Sequence, residues 1–599
     1  MSDQHPEAMG PPEGMAYRTP VELPFEIAQH SGIFFEEQLY TQALTLLFNT
    51  LASGTYASKT VIAPLPQHLA LACTFLVHPS TTNRAKKPEQ QEAPQVALRL
   101  LRLISTLLTP KDARLDLAFS FKNTRLSRSG RLRHADDTSS SSNDGSHDKT
   151  LWQRLDVANE SSLWSRAEDF WHAVGWTFNC SVLHPERWEH WQIWLRFMCD
   201  ILLDDWNQRE QEYEHLQEKT SQEEQKETTQ ERMTRNGSRS IKNDDLDIFR
   251  ESMFFRYIDS GTPGKNRRIV RAIFADGSTT SVNEFRQVFS RELKSSKSKS
   301  APETAKKQKS EVNIDEGKYG DYFSQDDSDE EGTETTDLSK SNSRASSPPE
   351  GSKSRRSKRT RRGTRTAADA TTTVPVQDSS DSTTLTQHSG GVSTMGGLKS
   401  LGLRKKLLGL LSKVSERLED DFMPVSELYY LFVENIRPLP LPIFQTFVSP
   451  YILPELPDDQ QTTLCQSLLE FLRQSGAPSM DGEWLDQVKL ETCFLPFAAT
   501  TSSAVDNAKV SITLEALVIL LANGDLLTMT PEFKDAVERG ISQRASRVQD
   551  DMRRSIASRN KESLEWCWLV ESGDRLMFLV EMLAFKGYPA EAGLTVGLC

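Results

Sequence analysis

Apolar residues in this chain recur every three or four positions within discrete blocks, and long polar runs separate the blocks. That period puts apolar side chains on one face of a helix, whereas a half-buried strand would alternate every second residue. Over residues 22–120 the pattern predicts helices at Phe25 to Leu51, Pro66 to Val77 and Pro94 to Leu108, with a weaker segment from Leu115 to Phe121. Gly54, the loop 79–91 and Pro110 supply the breaks. Val96, Leu98, Leu100, Leu101, Leu103, Ile104, Leu107 and Leu108 form a stripe wider than one exposed helix needs, so this helix is expected to be buried on several sides.

Residues 122–150 have no apolar period and are rich in Ser, Asp and Gly, the composition of a flexible insertion. The chain then enters its densest aromatic region, with eight of its eleven tryptophans between Trp152 and Trp206. Trp188, Trp191, Leu195, Met198, Leu202 and Trp206 fall on one helical face, which marks a core helix. A Glu- and Gln-rich stretch, 207–245, follows as a charged extension or loop. Apolar periodicity returns over 246–260 and 267–293, with a short hairpin expected near Ala275, Asp276 and Gly277.

From 294 to 396 there is no tryptophan and one phenylalanine, so too little apolar surface to offset the entropy of ordering the segment. Beyond it, Leu403, Leu407, Leu410, Leu411, Val414 and Leu418 open a second helical block. Leu514 to Leu521 and Leu564 to Phe585 are apolar enough to be its central helices.

The expected fold is therefore all-α: two irregular, solenoid-like helical arrays separated by a long disordered linker with acidic and basic blocks. A disordered amino terminus (1–20) precedes the first module (21–293), the linker spans 294–396, and the second module spans 397–599. The pattern leaves open whether the modules pack together.

Charge narrows the function. A net charge of −13 argues against a protein that coats nucleic acid over its whole surface. One run is strongly basic: Lys353, Arg355, Arg356, Lys358, Arg359, Arg361, Arg362 and Arg365 place eight cations and no anion in 13 residues. An extended, cation-rich segment is what an import receptor reads, so nuclear residence is expected. The same charges suit weak nucleic-acid contact, although the run lacks the interleaved aromatics that add base stacking.

The block 326–337 has seven acidic residues. It makes Ser328 a candidate for an acid-directed kinase, and Ser347 before Pro348 one for a proline-directed kinase. Ser324, Thr386 and Ser542 precede glutamine, the dipeptide favoured by damage kinases.

The amino terminus shows no basic region followed by an apolar stretch, so no secretory leader is expected, and no apolar run reaches membrane-spanning length. Seven scattered cysteines without a CxxC pair read as reduced, core-filling thiols.

Catalytic signatures are weak. His172, Cys180, His184, His190 and Cys199 match no zinc-site spacing, and Asp200 with Asp204 is expected on a solvated helix face. Residues 261–266, GTPGKN, fail as a phosphate loop and read as a turn. The prolines of 438–442 are expected to form an ordered link between helices. Trp164 and Trp194, off the main aromatic stripe, are the candidate exposed anchors for a partner.

The resulting expectation is a non-enzymatic nuclear scaffold or adaptor in chromosome maintenance, chromatin or DNA repair, with an import receptor and nuclear proteins as partners, no membrane, no cofactor and no metal. The alternatives are a nucleolar ribosome-assembly factor and a metal-dependent enzyme built on the His, Cys and Asp cluster.

Overall fold

The structure, a computed structural model, describes residues 17–53, 60–121, 156–159, 161–226, 246–259, 264–293, 395–478, 485–554 and 563–586. These residues are mostly helical and fall in one compact unit. The longer helices are α1 (Phe25–Glu36), α2 (Tyr40–Ser53), α3 (Pro66–Phe75), α4 (Pro88–Leu107), α5 (Phe170–Leu183), α6 (Pro185–Lys226), α7 (Lys265–Ile273), α8 (Gly397–Arg417), α9 (Val425–Ile436), α10 (Leu441–Val448), α11 (Asp458–Leu472), α12 (Ala504–Asn523), α13 (Pro531–Arg554) and α14 (Ser563–Lys586). Two short parallel strands, β1 (Thr19–Val21) and β2 (Thr60–Ile62), pair Thr19 with Thr60 and Val21 with Ile62.

The first expected helix is two. Gln38 adopts a left-handed conformation (φ 58°), and Leu39 N–H donates to Phe34 O at 2.8 Å, which ends α1 and turns the chain into α2. No glycine or proline marks this break. Helix α4 starts at Pro88 rather than Pro94, because proline suits the first turn, where its missing N–H would have no partner. Around Ala275 to Gly277 there is a turn between α7 and a short helix, Thr279–Glu284, where a hairpin was expected. Gly277 takes φ +76° there, and its N–H donates to Asn179 Oδ1, so a side chain of α5 completes the turn.

Helix α5 is capped by Asp169, whose carboxylate accepts from His172 N at 2.7 Å, and is buried on nearly every face. In α6 the expected stripe from Trp188 to Trp206 is buried throughout. On α6 sits a fully satisfied ion pair: Glu292 Oε1 accepts from Arg187 Nε (2.9 Å) and Nη2 (2.6 Å) and from Trp191 Nε1 (2.6 Å), and Arg187 also donates to Thr82 Oγ1 and Val77 O.

Whether the stretches on either side of 294–394 pack together now has an answer: they share one hydrophobic core. Helix α8 lies against α5, α6 and α7, so its spacing from them is set by packing rather than by the length of chain between. Gly396 enters α8 at φ +82°, and a Cβ there would sit 2.1 Å from Ser181 Oγ, closer than a side chain allows. Lys413 pairs with Glu210 at 3.0 Å, and Arg250 with Asp421 at 2.8 Å.

Several buried cations meet backbone carbonyls at helix ends rather than carboxylates. Arg404, fully buried, donates to Ile273 O and Ala275 O at the end of α7 and lies 4.1 Å from the Phe178 ring centroid. Lys405 donates to Ser449 O (3.4 Å), the carbonyl that follows α10, and to Leu453 O (2.6 Å) in the turn beyond it, and Lys509 donates to Arg437 O (2.6 Å) after α9. Arg544 donates to Leu495 O and Phe497 O beyond the π-helical turn Leu490–Phe494. The last carbonyls of a helix have no partner within it and carry partial negative charge, so a cation there supplies both donor and charge. Burial still lowers the affinity of these groups for their protons, to about 9 for Arg404 and Arg544 and about 8 for Lys405.

Replacing Arg404 with leucine strands two buried carbonyls and is expected to cost about 2–4 kcal/mol. Lysine, with one compact donor group in place of a fork, should fall between the two. Urea titration followed by circular dichroism measures both, and a leucine variant as stable as the parent would contradict the capping role.

Candidate interaction surface

The basic run 353–365 and the candidate phosphosites Ser324, Ser328 and Ser347 lie outside the described residues, as does Thr386. Ser542 is exposed on α13.

The two candidate anchors are corrected. Trp164 is 4% exposed, stacks on Phe119 with ring centroids 5.0 Å apart and donates Nε1–H to Ala70 O at 2.9 Å. Trp194 is fully buried, edge-on to Trp191 at 5.3 Å. Lying off the principal stripe of α6 does not expose Trp194, because the helix is embedded on more than one side. Both tryptophans are core.

The histidines and cysteines of the first block are dispersed. His172 Nδ1 accepts from Glu168 N (3.1 Å) while Nε2 meets Arg286 O (2.9 Å), which fixes a neutral ring with its proton on Nε2. Burial lowers its pKa, against the pull of Glu168. Burial pushes the Cys180 thiol well up and Cys199 up to about 12, and burial with nearby Arg187 lowers His190 to about 4. Among the described residues no group of three or more His, Cys, Asp or Glu side chains converges.

Asp200 and Asp204 do not lie on a freely solvated face, which is a second correction. Asp200 forms an ion pair with Lys406 of α8. Asp204, whose charge Lys406 also feels, is raised to about 6, first by burial and then by Asp200, with Lys406 opposing. The pair thus belongs to the α6–α8 junction. Of the 261–266 segment, residues 264–266 are described: Gly264 takes a left-handed conformation (φ +74°), and Lys265 and Asn266 are the first residues of α7. Residues 438–442 link α9 to α10, with Pro440 at the helix entry and Leu439 N–H donating to Ile436 O.

One described element leaves a long apolar face uncovered. Helix α14 was expected to be central, yet only half of it is buried. Leu569, Ser572, Leu576 and Val580 are buried toward α12, where Ser572 Oγ and Arg575 Nε both bond Glu515 (3.1 and 2.8 Å). On the opposite side Leu564, Val570, Phe578, Met582 and Phe585 are exposed, Phe585 by 76%. Cys567, Glu571, Asp574 and Glu581 are exposed beside them. At 100° per residue these nine positions fall within a sector of about 120°, so they form one stripe. The hydrophobic pattern could not reveal it, since α14 is apolar on two faces and only packing decides which is covered.

No family model matches the chain, and no curated protein matches it. No helix among the described residues is long and apolar enough to cross a membrane.

Because its pKa is raised in the folded state, Asp204 makes the protein hold more protons than the unfolded chain between about pH 4 and 6. Its contribution to stability therefore falls as pH rises through that window and stays unfavourable above it. Asp204→Asn removes this term. The variant should match the parent near pH 4 and exceed it by about 1–2 kcal/mol at pH 7, discounted for partial exposure. Denaturation at the two pH values checks it, and a constant difference would refute the assignment.

Proposed function

We propose that this chain is a non-enzymatic nuclear scaffold or adaptor, acting in chromosome maintenance, chromatin organisation or DNA repair, that holds protein partners on the outer faces of its helical body. The observation that carries this reading is the apolar and acidic stripe of α14, exposed on a helix whose other side is locked into the core. Contiguous exposed apolar surface of this kind marks a contact site more often than it marks chemistry. The chemistry-bearing side chains of the first block point the same way, since they are spent on internal contacts: His172 on a backbone carbonyl, Asp200 on Lys406.

Nuclear residence rests on the eight cations between Lys353 and Arg365, and the genome-maintenance role on the Ser-Gln and Thr-Gln dipeptides at Ser324, Thr386 and Ser542. An import receptor is accordingly one partner, and weak nucleic-acid contact through the basic run is compatible with its charge.

Alanine at Arg355, Arg356, Arg359, Arg361 and Arg362 in the full fluorescently tagged chain is expected to shift it from nucleus to cytoplasm. Unchanged nuclear accumulation would dismiss the run as the address. Independently, the intact chain isolated from nuclear extract should run as a stoichiometric complex by native mass spectrometry. Recovery as a bare monomer rejects the scaffold reading.

A further inference from the structure

The geometry points to the exposed stripe of α14 as the seat of one kind of partner: an amphipathic helix with apolar residues toward its two ends and Lys or Arg in its middle. This deepens the scaffold reading and rests on it. The stripe runs from Leu564 to Phe585, a length of about 30 Å at 1.5 Å per residue, enough to align a partner helix of some six turns. Its composition is graded. Leu564, Cys567 and Val570 lie at one end and Phe578, Met582 and Phe585 at the other, with Glu571 and Asp574 between them and Glu581 along the second apolar group.

The charge of the face is one-sided. Arg575, the cation nearest this middle section, is turned inward to Glu515 at 2.8 Å while sharing Glu571 at 2.8 Å. Asp574 and Glu581 face outward and form no ion pair among those described. An apolar partner would have to cover these carboxylates without a counter-charge, which is costly, whereas Lys or Arg can cover the rim with its methylene stem and pair at its tip.

The same carboxylates disfavour other occupants. A second copy laid antiparallel, with Leu564 opposite Phe585, sets each Asp574 beside the other, and a parallel copy stacks Glu571, Asp574 and Glu581 on themselves. An anionic bilayer would meet the same negative strip, the reverse of the basic faces that lie on membranes.

Fluorescence anisotropy of the full chain with two synthetic 21-residue helical peptides tests this. Both carry leucine at the same heptad positions, one with lysine and the other with glutamate at the central positions between. The lysine peptide is expected to bind at least tenfold more tightly, to weaken with added salt, and to be lost on Phe578→Asp. Asp574→Lys combined with Glu581→Lys should invert the preference. All three substitutions are at exposed positions, and an unchanged circular dichroism spectrum and melting midpoint establish that the variants fold.

Equal affinity for the two peptides, or binding indifferent to Phe578→Asp, overturns the inference. So does a dimer in light scattering that Phe578→Asp dissolves, since the stripe then belongs to a second copy. Peptide binding that emerges only after residues 587–599 are removed overturns it as well, because the chain then covers its own stripe. A nuclear complex that survives Phe578→Asp rejects this surface but leaves the scaffold reading standing, whereas the absence of any complex rejects the scaffold itself.

Discussion

A helix that ends inside a protein has to find donors for its last carbonyls, and here the donors are buried cations. Arg404, Lys405, Lys509 and Arg544 form no ion pair among the described residues, and each points at the carbonyls that close another helix or helical turn. Removing a cation from water costs several kcal/mol, which a neutral site would not return. A helix terminus returns part of it through hydrogen bonds and the aligned peptide dipoles. The lowered proton affinity of Arg404, Lys405 and Arg544 records what remains unreturned.

This constraint determines which elements can sit together. Neighbouring residues Arg404 and Lys405 serve different helix ends, α7 and α10, so α8 is clamped between the carboxyl-terminal half of the first block and the start of the second. Its register relative to α6 is then fixed by Lys406 on Asp200 and Lys413 on Glu210, seven residues apart on one side. Helix α12 occupies the equivalent central place further along, where Lys509 reaches the end of α9 and nearly every other face of the helix is apolar. Helix α14 closes over it, and its outer side remains open to solvent.

Much of this was legible wherever burial and periodicity coincide. The face from Trp188 to Trp206, the opening stripe of α8 and the proline link at 438–442 all lie where their spacing predicts. What escaped has common physical causes. The break between α1 and α2 relies on a left-handed glutamine, a conformation rare for that residue and unmarked by composition. Trp164 and Trp194 look exposed only if each helix has one buried face, and Trp194 sits on a helix with more than one. Arg404 and Lys405, in a run of three cations between Leu403 and Leu407, read as the polar side of an amphipathic helix, and only the carbonyls of distant helices explain their burial. For the same reason the stripe of α14 has no signature of its own: a face that meets a partner and a face that meets α12 are written in the same residues.

The close fit of α8 against α5 and α7 gives residues 294–394 an unusual standing. The chain leaves one body at Leu293 and returns to that same body at Met395, so the intervening segment is closed at both ends by a shared core. The packing of α8 on α5, α6 and α7, and not the peptide bonds of that segment, holds the two halves in register. A single proteolytic nick there would leave two fragments joined by Arg404, Lys406, Lys413 and the apolar side chains around them, a split protein that remains one object.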